Sequence, residues 1–180
     1  MFSYPLNPDA ELRLIEERHA RELFDLTERN RNYLRQWLPW LDATLTVEDT
    51  RNFIRDALLQ FAANDGFQAG IWYRGALAGV IGYHKIDWFN RQVEIGYWLG
   101  AEYQGKGLMT DSCRALIDHA FGELRLNRVT IRCAVGNTRS CAIPERLGFT
   151  REGMVAQGEW LYDHYVDLVV YGMLSSEWKG

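Results

Sequence analysis

The stretch of this 180-residue chain that most directly suggests chemistry is GAEYQGKGLMTDS, residues 100–112. Gly100, four residues, then Gly105-Lys106 nearly spells the phosphate loop of nucleotide triphosphatases, which needs Ser or Thr next to hold magnesium. Here that position is Gly107. The run RQVEIGYWLG before the loop reads as a strand. GLMTDSCRALIDHAFGEL after it carries Leu108, Cys113, Leu116, Ile117, Ala120 and Phe121 at helical spacing. A strand feeding a glycine turn that opens a helix presents backbone N–H groups at the positive end of the helix dipole, so the natural guest is a phosphate. Gly105 and Gly107 let the backbone approach that guest, and Gln104 and Lys106 can add side-chain contacts. The alternative is that the glycines only make a tight turn.

The elements that position this loop can be read along the chain. ELRLIEE alternates Leu12 and Leu14 with charges and predicts a strand. His19–Asn30 predicts a helix, and NYLRQWLPWL a second short helix broken at Pro39. Thr46 followed by Asp49 resembles a capping box, and Phe53, Ala57, Leu58 and Phe61 recur on one face, predicting a helix that ends near Asp65-Gly66. Two apolar runs flank Arg74-Gly75 as a hairpin. After the loop helix, Val129, Ile131, Cys133 and Val135 alternate as a strand. NTRSCAIPERLGF then forms a short helix with Ser140 near its start and Gly148 past its end, and TREGMVAQGEWL and YVDLVVYGML close as strands. The order is strand, helices, three strands, helix, strand, helix, two strands. It predicts an α+β layered fold with residues 1–180 as one domain; a dinucleotide fold wants its glycine loop after the first strand.

Composition narrows the partners. At 47% hydrophobic and 24% charged, the chain can bury a full core. A net charge of −4 without basic blocks argues against a nucleic-acid partner. No run approaches the roughly 20 apolar residues of a membrane span and no leader precedes the first elements, so a cytoplasmic protein without membrane association is expected. Cys113, Cys133 and Cys141 lack metal-ligand spacing and read as reduced core thiols, with no metal site.

YQGKGLMT resembles the acetyl-CoA pyrophosphate loop of the GNAT acyltransferase superfamily: Gln or Arg, two residues, Gly, one residue, Gly or Ala. Gln104 and Gly107 match, while Met109 stands where Gly or Ala is usual. EIGYWL, QGKGLMT and NTRSCAIPERLGF, in this order and spacing, are similar to the RimJ/RimL branch, the ribosomal-protein N-terminal acetyltransferases. The resemblance is densest over residues 94–149. It implies a mixed, mostly antiparallel sheet with helices on both faces and splayed middle strands, EIGYWL and VTIRCAV. The pantetheine arm of acetyl-CoA then lies between those strands, against backbone groups at Trp98 and Leu99. The pyrophosphate sits on amides of Gly105, Lys106, Gly107, Leu108, Met109 and Thr110. Asn137 matches a residue that contacts the cofactor near its reactive end, although Asn also suits a helix N-cap there. Dimers are common in this branch, so a homodimer is implied too.

The activity implied is acetyl transfer from acetyl-CoA to a primary amine, in particular a protein N-terminus, by direct transfer. The alternatives are a small amine (an antibiotic or polyamine) as acceptor, or a non-catalytic acyl-CoA-binding module. An α-amine of pKa about 7.8 is roughly one-tenth neutral at pH 7, so it needs only a mild base. Glu94 is the carboxylate of VEIGYWL and alternates onto the face of Gly96 and Trp98; it matches the family's strand carboxylate that takes the amine proton. Its other reading is a partner for a neighbouring Arg. The superfamily's acid Tyr, seven residues after Asn137, is replaced by Pro144. Ser140 matches the Ser of the RimL-type branch and is the candidate acid, or else a local backbone cap. A backbone N–H from YWLG is the expected oxyanion donor. Cys141, in a first helical turn, makes a covalent route conceivable. The four His, at 19, 84, 119 and 164, show no ligand or triad spacing; His164 can line an acceptor site or be structural. Trp37 and Trp40 can wall an acceptor cleft or a dimer seam, or simply pack.

Overall fold

The computed structural model describes residues 3–180. One mixed sheet runs through it in the order β1-β2-β3-β4-β5-β6-β8-β7. The strands are β1 Ser3–Asn7, β2 Ala10–Leu14, β3 Gln68–Tyr73, β4 Ala76–Tyr83, β5 Gln92–Leu99, β6 Arg128–Ala134, β7 Thr150–Leu161 and β8 His164–Leu174. Every pairing is antiparallel except β5 with β6. The helices are α1 Ala20–Leu34, α2 Val47–Ala62, α3 Leu108–Gly122 and α4 Thr138–Arg146. The α+β reading therefore holds, with one strand more than expected, because β1 lies in a stretch without alternation.

Helices cover both faces. Val93, Ile95 and Tyr97 of β5 point into the larger core with Leu108, Cys113, Leu116 and Ile117 of α3 and with Cys141 and Ile143 of α4. Leu77 and Val80 of β4 and Trp98 of β5 face Leu23 and Leu26 of α1 and Ile54 of α2. Alternation along β5 thus directs Glu94, Gly96 and Trp98 toward the α1/α2 side.

Local rules explain most boundaries. The α2 capping box forms: Asp49 N donates to Thr46 Oγ1 at 3.2 Å, and Thr46 N donates to Asp49 Oδ2 at 2.8 Å. The β3–β4 turn puts Arg74 at φ 50° and Gly75 at φ 82°, the left-handed pair of a tight hairpin. Two expectations need correction. No second helix forms before Pro39; α1 continues to Leu34, and residues 35–46 run as turns around a 3₁₀ turn at Leu41–Ala43. Asn30 does not stop α1, because its side chain is used elsewhere: Nδ2 donates back to Leu26 O within the helix and across to Glu102 Oε2, and Oδ1 accepts from Ala101 N. The buried stripe of α2 is Thr50, Ile54 and Ala57, whereas Phe53 and Phe61 are exposed. Helical spacing identified a face there but set its centre one residue off.

Candidate active site

β5 and β6 pair only over Gln92↔Arg128, Val93↔Val129 and Glu94↔Thr130. Beyond Glu94 the two strands part, and two cavities meet in the gap. The first, of about 640 Å³, lies on the α1/α2 side and is lined by Glu94, Gly96, Arg132 and Glu159 together with Trp37 and Trp40. The second, of about 610 Å³, lies at the loop after β5 and is lined by Gln104 to Thr110, Leu99 and the start of α4. Tyr97, Trp98, Asn137 and Ser140 line both, as do Trp37 and Leu38.

The loop has the form a phosphate needs. Gly105 and Gly107 sit at φ 73° and 78°, in the left-handed region open to glycine. A methyl at Gly105 meets nothing within 4 Å, and one at Gly107 meets only Asp111 Oδ2, at 3.9 Å. The backbone there borders open space, as close approach by a guest requires. Leu108 and Met109 bury their side chains in the core, so they face the loop through the first-turn backbone of α3 alone. Lys106 is exposed. Gln104 spans the cleft, its Nε2 donating to Tyr33 Oη at 2.5 Å and its Oε1 accepting from Arg139. Thr110 Oγ1 accepts from Arg146 at 2.9 Å. Arg139 and Arg146, which the sequence reading did not single out, bring positive charge to this cavity.

At the junction, Asn137 caps α4, its Oδ1 accepting from Ser140 N at 3.3 Å, and it also lines both cavities. Ser140 is no local cap. Its Oγ lies 3.4 Å from Tyr97 Oη and 3.3 Å from Cys133 Sγ. Pro144 lacks the N–H that would reach back to the Ser140 carbonyl, and Tyr97 Oη donates to that carbonyl instead, at 3.1 Å. Tyr97 therefore completes a turn that proline breaks. Burial holds the Tyr97 phenol well above its ordinary pKa and pushes the Cys133 thiol up to about 12, so neither ionises readily at neutral pH. Cys141 is buried, lies against Ala134 O and lines neither cavity, which removes the geometric basis for a covalent route through it.

In the first cavity, Glu94 makes the ion pair that one of its readings expected and is also placed at the cavity wall. Arg132 Nε donates to its Oε2 at 2.7 Å, while His84 Nδ1 lies 3.5 Å from Oε1. The His84 ring occupies the space over Gly96, where a methyl would come within 2.4 Å of Nε2. Glu159 of β7 lines the same cavity. Burial raises its carboxyl above the usual range; Arg132 offsets part of this and the charge of Glu94 adds to it. His84, Arg132 and Glu159 were missed in the sequence. The signal for Arg132 existed, since alternation from Thr130 puts it beside Glu94 once β5 and β6 are neighbours. His164 sits beside Asp163 at the β7–β8 turn and lines neither cavity. Among the described residues no cluster has the make-up of a metal site, and no helix is long and apolar enough to cross a membrane.

Known proteins share this arrangement. Residues 10–150 match the acetyltransferase (GNAT) domain. YdaF of Bacillus subtilis (strain 168), named as a candidate ribosomal N-acetyltransferase, is 41% identical over 100% of this chain and 99% of its own. The ribosomal-protein-serine acetyltransferase of Escherichia coli (strain K12) is 33% identical over 91% and 92%. The solved structure of RimL, a ribosomal L7/L12 alpha-N-protein acetyltransferase, superposes with a TM-score of 0.92 at 31% identity, covering 96% of this chain and 97% of that one. It contains coenzyme A disulfide-bonded to a cysteine of that protein. With its splayed β5 and β6, its glycine loop opening α3 and these relatives along its whole length, the chain belongs to the GNAT acetyltransferase family and is an acetyl-CoA-dependent acetyltransferase.

Proposed function

We propose that this enzyme acetylates the α-amine of a protein N-terminus, of the ribosomal-protein kind, by direct transfer. The observation that carries the reading is the meeting of the two cavities at Tyr97, Trp98, Asn137 and Ser140, with Glu94 and Glu159 on the acceptor side only. Two carboxylates against the one guanidinium of Arg132 give an ammonium group acceptors in this cavity, and a weakly basic α-amine needs only one proton moved by a carboxylate. Ribosomal proteins are the acceptors named for the relatives above.

Acetyl-CoA supplies the acetyl group as an activated thioester. In this reading the amides from Gly105 to Thr110, with Gln104 and Lys106, hold its diphosphate, aided by Arg139 and Arg146. Trp98 and Leu99 flank the pantetheine path with backbone groups. Glu94 receives the amine proton on Oε1, the oxygen that Arg132 leaves free. Ser140 Oγ hands a proton to the departing sulfur as it takes one from solvent, so that free thiol leaves and the hydroxyl is restored. Its neighbour Cys133 fits this end of the site, since in RimL the coenzyme lies within bonding reach of a cysteine. The same reading places the enzyme in the cytoplasm, where its acceptors are made, and as a homodimer. Exposed Met154, Val155, Trp160 and Tyr165 on β7 and β8 offer apolar surface for a second copy.

The test is thiol release from acetyl-CoA with ribosomal-protein N-terminal peptides, the same peptides blocked at the α-amine, and polyamines. Turnover confined to the free N-termini is expected. Turnover of blocked lysine-containing peptides or of polyamines, with none on free N-termini, refutes the acceptor assignment.

A further inference from the structure

We infer that Tyr162 is a positioning residue that clasps the segment Trp37–Leu41 over both cavities and so couples acceptor binding to coenzyme A binding. The inference rests on reading the Glu94-lined cavity as the acceptor site. Tyr162 stands at the β7–β8 turn, far from Leu38 in sequence, at φ 61°, a backbone conformation that a non-glycine residue adopts only under strain. Its single phenol oxygen makes two bonds to the segment: it donates to Leu38 O at 2.5 Å and accepts from Leu41 N at 3.1 Å. One side chain thereby closes the turn that contains Pro39 and Trp40. Arg35 reinforces it from α1's end, stacking its guanidinium 3.8 Å from the centre of the Tyr162 ring while pairing with Asp42 through Nε at 2.7 Å and Nη2 at 2.8 Å.

What the clasp holds is the shared wall of the site. Trp37 and Leu38 line both cavities. Trp37 lies 3.5 Å from where a methyl on Gly136 would stand, at the β6–α4 turn, and Trp40 packs on Trp98 of β5 with ring centroids 6.1 Å apart. The segment therefore packs on β5 and on the turn that follows β6, and anything that shifts it changes both cavities together. Its far end is anchored independently: Leu41 is fully buried, and Arg31 donates to Leu41 O and Thr44 O at 2.5 Å each. Loss of the phenol should free the Pro39–Trp40 turn without unfolding the chain.

Tyr162→Phe keeps the ring and the stack on Arg35 and removes both hydrogen bonds. The expected result is a rise of about tenfold in the KM of an N-terminal peptide, about half of what two lost hydrogen bonds can contribute, with kcat within about twofold. Coenzyme A affinity, read by tryptophan fluorescence, should weaken about threefold, and the Leu41 amide should exchange with solvent faster. Arg35→Gln should move the same readouts in the same direction by less. A lower Tm with peptide KM, coenzyme A affinity and Leu41 exchange all unaltered would mean that Tyr162 is merely structural and would overturn the inference. Should the wild type turn over no N-terminal peptide, the acceptor assignment fails by itself. In that case the affinity and exchange measurements still decide the clasp: both moved supports it, both unmoved overturns it.

Discussion

Replacing Glu94 by Gln separates its ion pair with Arg132 from the base role proposed for it. Glu94 Oε2 takes the Arg132 Nε–H at 2.7 Å, and its side chain is 22% exposed. A hydrogen bond between charged partners contributes about 2 kcal/mol and its neutral counterpart about 1, so Glu94→Gln should cost stability only ~1 kcal/mol. For a chain of this size that lowers Tm by roughly 2–4 °C. Loss of a general base is larger, on the order of 10² to 10⁴ in kcat/KM. The pH dependence carries the diagnosis. An α-amine of pKa about 7.8 is neutral in about one molecule in seven at pH 7 and almost wholly neutral at pH 9, so the variant's deficit should shrink about sevenfold between those pH values. A lysine acceptor, of pKa about 10.4, would give a gain near a hundredfold over the same range, so the slope also reports the acceptor. The assay is thiol release at saturating acetyl-CoA, with the parallel variant Glu159→Gln as control. Turnover within threefold of wild type with an unchanged pH profile refutes Glu94 as the base, and a large deficit in Glu159→Gln alone transfers the role.

Gly105→Ala should hardly disturb the fold, since a methyl there meets nothing within 4 Å and the left-handed φ of 73° costs about 1 kcal/mol. It should nevertheless weaken coenzyme A binding about tenfold or more by filling the approach to the loop amides; calorimetry showing unchanged affinity would refute the phosphate assignment. Acid stability follows from the paired carboxylates. Glu152 beside Arg128 and Asp49, bonded to the Thr46 hydroxyl and the Leu45 and Thr46 amides, are held below their ordinary pKa values of 4.5 and 3.8. Their stabilisation is complete above about pH 4.5 and lost as pH falls through their depressed folded values, so Tm should decline below that point. Glu159 has the opposite sign: its raised folded pKa means its contribution is lost as pH rises past the unfolded value. Glu159→Gln should therefore melt above wild type at pH 7, and a lower Tm would refute that reading.

The sequence by itself determined what depends on neighbours along the chain. Alternation put Glu94, Gly96 and Trp98 on one face, and Thr46 with Asp49 announced the start of α2. The spacing Gln104, Gly105, Gly107 marked a glycine turn opening α3, because turn geometry and helix-end amides are local properties. Residues 31–40 misled because Asn30 and Pro39 carry the marks of helix boundaries, while α1 runs past Asn30 to Leu34, the Asn30 side chain bonding across to the loop after β5. Only the tertiary structure decided what surrounds the candidate groups. Arg132 reaches Glu94 across a parallel pairing, Glu159 arrives from β7, Tyr97 supplies the hydrogen bond that Pro144 lacks, and Tyr162 reaches Leu38 over 124 positions. Periodicity alone identifies none of these contacts, not even Arg132 with its place in the alternation of β6, since each depends on which distant segments the fold makes neighbours.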